Sequence, residues 1–142
     1  MYQKDYILRI IEQMGKLIAG ILGLIKKGEL EPAGEQLDNL YYEMLQHDAS
    51  FFNAIPESEL THKLLDEHNY TNGHLEILAE LFNAEALLKH AQGNNQGSLE
   101  YSRKSLILLE FIDAEYKTYS TERLNKMNAI RERIKIIANI KL

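Results

Sequence analysis

The feature that most constrains this chain is a helical hydrophobic rhythm that never gives way to alternation. From Asp5 to Lys27, the residues Ile7, Ile10, Ile11, Met14, Ile18, Ile21, Leu22 and Ile25 recur at three- and four-residue steps. That is one stripe of a helix of about six turns. No segment alternates apolar and polar residues for long enough to make a strand. Composition agrees: the chain has no Val, no Trp and four Thr, against 22 Leu, 15 Ile and 11 Ala. Residues that favour strands are scarce and good helix formers abound, which predicts an all-α fold.

Punctuation divides the rhythm into about six helices. Gly28, preceded by Lys26 and Lys27, stops the first, and Pro32 starts a second that runs to about His47 with Leu37, Leu40, Tyr41, Met44 and Leu45 on one side. Phe51, Phe52 and Ile55 read as a connection, and Pro56 opens a short helix through Leu60, Leu64 and Leu65. The turn-rich segment His68–Gly73 is the clearest break. A fourth helix follows from His74 to about Gln92, then a turn over Gly93–Gly97 with Ser98 as the expected N-cap of a fifth. Ser120 or Thr121 caps the last, which carries Leu124, Met127, Ile130, Ile134 and Ile137. No stretch has linker composition, so residues 1–142 are read as one domain.

Two of these turns echo each other. Gly28 is followed by Ala33 and Leu40, and Gly93 at the same spacings by Ser98 and Ser105. The second copy, Ala79 to Glu110, resembles a tetratricopeptide repeat in Phe82, Ala86, Gly93, Ser98, Leu99, Tyr101 and Ser105, whose small members let two antiparallel helices approach closely. It departs from that pattern at Glu85, where such repeats carry Leu, and in lacking a Pro after its second helix. The first copy, Met14 to about Tyr42, matches less, with Gly20 and Gly34 inside helices. The chain as a whole, opening MYQKDYILRIIEQMGKLIAGILGLIKKGELEPA, is also similar to an uncharacterised family of small bacterial all-helical proteins. Both resemblances imply antiparallel helical hairpins; neither carries an activity across.

Several functions are disfavoured at once. Without Cys there is no disulfide, thiol nucleophile or Cys-based metal centre. The longest apolar run, Leu17–Ile25, is nine residues, where a membrane-spanning helix needs about 20. A cytoplasmic location is expected. Net charge is −5, unevenly spread: +3 over residues 1–28, −12 over 29–100, zero over 101–120 and +4 over 121–142. The simpler consequence is that the basic ends pack beside the acidic middle; the sharper one is an acidic surface that recruits a basic peptide. Nucleic acid is not an expected partner of so much negative charge.

Chemistry-bearing patterns are weak. Glu59 and His62 have the i, i+3 spacing of di-iron bundles, but such a site needs a second pair and two further Glu. Ser98, Ser105, Ser120 and Thr121 have structural roles, and no phosphate-cradling loop exists. No enzyme activity, metal or cofactor is expected. The expected role is a module that binds a protein or peptide partner on the concave face of stacked hairpins, with Tyr41, Glu76, Glu80, Glu85, Lys89 and Tyr101 as lining residues.

The first helix adds an alternative. Gly15, Ala19 and Gly23 form a smooth four-residue ridge, and each interior Gly costs about 1 kcal/mol relative to Ala. The ridge is expected to seat the second helix; otherwise it, or the last helix, serves as the interface of a homodimer.

Overall fold

The computed structural model describes residues 2–116 and 119–140, with side chains from Leu8 onward. The described residues are all-α, with no strand among them. The helices are α1 (Tyr2–Lys26), α2 (Leu30–Leu45), α3 (Ala49–Asn53), α4 (Leu60–His62), α5 (Asn72–Ala91), α6 (Asn95–Tyr116) and α7 (Thr121–Ala138). A 3₁₀ turn at Glu57–Glu59 leads into α4 and a π turn at Lys63–Glu67 leads out of it.

The two glycine turns are built alike. Gly28 and Gly93 have φ of 80° and 81°. In each, the residue after the glycine donates its N–H back five residues, Glu29 to Leu24 O at 2.9 Å and Asn94 to Lys89 O at 2.8 Å. That bond satisfies a helix-end carbonyl and reverses the chain with a left-handed residue. A Cβ at Gly93 would meet nothing within 4 Å. Gly93→Ala is therefore expected to lower stability by about 1 kcal/mol through backbone strain alone, measured by urea unfolding.

Three local expectations change. α3, too short to show a period, adds a helix where a plain connection was expected, and Asp48 caps it by accepting the Phe51 N–H at 2.9 Å. α6 starts before Ser98: the Asn94 side chain accepts the Gly97 N–H at 2.9 Å, and Ser98 is buried with its hydroxyl unpartnered. α5 begins at Asn72, capped by Thr71, with His74 reaching back to complete the box. Ser120 caps α7 as expected, accepting from the Arg123 N–H.

The α5–α6 hairpin is the centre of the fold. α1 and α2 both pack on α5, and α7 packs on α6. Ala86, Ser98, Ser102 and Ser105 are fully buried along the hairpin seam, and the Ser105 hydroxyl donates to Ala79 O at 2.7 Å. Phe82, Leu78, Leu81, Leu108 and Ile112 fill the core around them. The residues linking α3 to α5 are tied down at both ends. Lys104 of α6, 6% exposed, donates to Asn53 O at 2.5 Å and Ile55 O at 2.7 Å; Tyr70 donates its hydroxyl to Leu45 O at 3.0 Å.

The small ridge of α1 is not where α2 sits. A Cβ added at Gly15, Gly20 or Gly23 would meet nothing within 4 Å. The glycine in ordinary contact is Gly34 of α2, whose Cβ position lies 3.6 Å from Leu88 of α5. The buried face of α1 is Met14, Ile18 and Ile21.

Candidate functional site

Four helices enclose a cleft of about 380 Å³ that holds two of the residues expected from sequence. Its apolar floor is Ile11 and Met14 of α1 and Leu109 of α6; its rim carries Glu12, Glu76, Glu80 and Glu122, with Arg123 and Lys126 of α7. Lys126 is paired with Glu80, and Arg123 with Asp113 at 2.9 Å. Burial pushes the Glu76 carboxyl above the usual carboxylate range, with Glu80 and Glu122 adding to the rise, while Lys126 and Arg123 work against it.

Of the basic residues of α7, Lys126 pairs with Glu80 of the acidic stretch, whereas Arg123 and Arg131 pair with Asp113 and Glu110 of α6. Arg131 reaches Glu110 at 3.1 Å, and Arg133, largely buried, donates to Ser102 Oγ at 3.0 Å and to Asn83. Burial holds the Arg133 guanidinium below its ordinary value. Because Glu80 and Asn83 of α5 meet Lys126 and Arg133 of α7 in that order, α5 and α7 run in the same direction.

No protein family, curated protein or solved structure matches this chain.

The other expected lining residues lie elsewhere. Tyr41 is fully buried, stacked 6.2 Å from Phe52, while its neighbour Tyr42 is 59% exposed. Tyr41 faces Glu85, which is itself buried and pairs with Lys89 at 3.7 Å. Tyr101 is buried against Phe82, ring centroids 5.5 Å apart. Burial raises Tyr41, Glu85 and Tyr101 above their ordinary values. Tyr41, Glu85 and Tyr101 are therefore the polar interior between α2, α5 and α6, with Lys89 half-buried at its edge, and Glu76 and Glu80 alone of the six open onto the cleft. The cleft residues missed from sequence, Glu12, Glu122, Arg123 and Lys126, come from helices far apart in the chain, which no local pattern links.

The Glu59–His62 spacing does not survive folding. Glu59 ends the 3₁₀ turn, His62 ends α4 and pairs instead with Asp66 at 2.7 Å, both largely exposed. Among the described residues no group of three or more His, Asp or Glu is placed to hold a metal ion, and no helix is long and apolar enough to cross a membrane.

One titratable group has a structural role near the segment 68–74. The His74 Nδ1 accepts the Thr71 N–H at 3.0 Å, and burial holds the imidazole below its ordinary value of 6.5. The folded chain therefore binds this proton less readily than the unfolded one, so the contribution is complete above pH 6.5 and is lost as pH falls below it. His74→Gln, which can reach back in the same box without titrating, is expected to flatten that acid-side loss in thermal melts. An unchanged pH profile in the variant would assign the loss to other groups.

Proposed function

We propose that this chain is a non-catalytic interaction module of tetratricopeptide-like build that holds a basic, partly apolar peptide segment of a protein partner in the cleft between α1, α5 and α7. The observation that carries this reading is the cleft itself: an apolar floor under a rim of four carboxylates and two cations. The floor takes an aliphatic side chain, and the surplus negative charge selects lysine or arginine beside it. The packing order supports the comparison with hairpin repeats. α1, α5 and α7 meet at the cleft, while α2 and α6 pack as the returning helices of the two glycine-turned hairpins. Stacked hairpins of this kind present extended concave surfaces to peptides.

Fluorescence anisotropy with a labelled decapeptide of Lys and Leu tests it. Binding is expected at low salt and weaker at physiological salt, where screening acts over about 8 Å. The Glu76→Gln/Glu122→Lys variant is expected to bind about tenfold more weakly, since two charge contacts are lost or reversed. Glu122 is exposed and burial disfavours the charged form of Glu76, so neither substitution removes a contact the fold depends on. No binding at low salt, or equal binding by the variant, overturns the reading.

A further inference from the structure

We propose that α1 also forms the contact of a symmetric dimer, lying antiparallel to α1 of a second copy and crossing it at Ala19. The first observation is an apolar groove of about 540 Å³ beside α1, walled by Leu22 and Ile25 and by Leu87 and Ala91 of α5, and opening along Ala19, Gly23 and Lys26. None of the described residues covers it. The second is the pair of glycines on the same face: Gly23 lines the groove and Gly15 stands four residues before Ala19, each weakens the helix, and no atom of the described residues lies within 4 Å of either missing Cβ. A second helix backbone placed there takes up that space.

The sequence says which helix. Around Ala19 the face is palindromic in charge and size: Gly15 and Gly23 stand four residues to either side, Glu12 and Lys26 seven. At 100° per residue all five lie within about 40° of one direction, so they share one stripe. Antiparallel pairing about Ala19 sets each Glu12 opposite Lys26 of the partner subunit and each Gly15 opposite Gly23 of the partner subunit. Glu12 and Lys26 are both exposed and have no ionic partner among the described residues. Leu8, 50% exposed, lies on the same stripe and is carried out toward the open end of the other subunit's groove. An unrelated helix has no reason to match a charge pattern that is its own inverse; a second copy matches it by construction, giving a closed, isologous contact.

Sedimentation equilibrium of the full chain over a wide concentration range is the test. The wild type is expected to show a monomer–dimer equilibrium. Glu12→Lys and Lys26→Glu are each expected to weaken it about tenfold, because each turns two attractive contacts into repulsive ones. The double variant Glu12→Lys/Lys26→Glu restores both pairs and the dimer. An equimolar mixture of the two single variants also restores it, as a heterodimer, which misfolded chains cannot do. Gly23→Leu is expected to remain a folded monomer, its circular dichroism unchanged, since no described atom lies within 4 Å of the added Cβ and the groove has room for the rest of the side chain. A wild type monomeric throughout, single reversals that leave the dimer intact, or a double variant as weak as the singles each overturn the proposal. Glu12 and Gly15 also border the peptide cleft, so the peptide reading is tested apart from this at Glu76 and Glu122, which lie on α5 and α7.

Discussion

Phe82→Ala is expected to lower the unfolding free energy by about 4 kcal/mol, the largest effect of any single substitution considered. The ring is fully buried on α5 and sits 5.5 Å from Tyr101 across the central hairpin, so truncation leaves a void where the two most extensively packed helices meet. Domains of this size have about 5–15 kcal/mol in all, so the variant loses a large share of it. Its melting temperature is expected to fall by about 12 °C. Phe51→Ala supplies the control: Phe51 is only partly buried and stacks on His47, ring centroids 3.8 Å apart, and its loss is expected to cost less than half as much. Equal losses in urea unfolding of the two variants would show that the hairpin seam is not the centre of stability.

Lys104→Met is expected to cost about 3 kcal/mol, although the new side chain has nearly the same length and is more apolar. The ammonium donates to Asn53 O, to Asn53 Oδ1 at 3.3 Å and to Ile55 O. Removing it leaves buried carbonyls facing a methyl group, and an orphaned buried acceptor costs more than the bond it lost had contributed. The signature is local as well as global. Amide exchange over residues 54–70 is expected to accelerate more than exchange in α5, because the connection loses its tie to α6 first. Uniform acceleration along the chain would place the role of Lys104 in the core at large.

The helical stripe of α1, the two glycine turns and the Ser120 cap were all legible in the sequence because each is set by residues within one or two turns of one another. Interior packing was not. Lys104 stands between Arg103 and Ser105 and reads locally as a solvated lysine, since its acceptors lie 49 and 51 residues away. Spacing put Tyr41 on the apolar side of α2, but that Phe52 of α3, Glu85 of α5 and Tyr101 of α6 close over it was set by the fold. The departure at Glu85 from the repeat pattern was visible, but its cause was not: the residue is buried beside Tyr41 and pairs with Lys89. Glu76 and Glu80 were legible as candidates because they lie on one face of one helix. The cleft that gives them a context needed α1 and α7 to converge, and residues more than a hundred positions apart leave no local trace.

The triple engagement of the Lys104 amine also governs its reactivity. Surface lysines such as Lys26 and Lys27 present free amines to an acylating reagent, whereas Lys104 can react only after its bonds to the chain have broken. Its labelling rate is therefore a clock for the opening of the segment that joins the two hairpins.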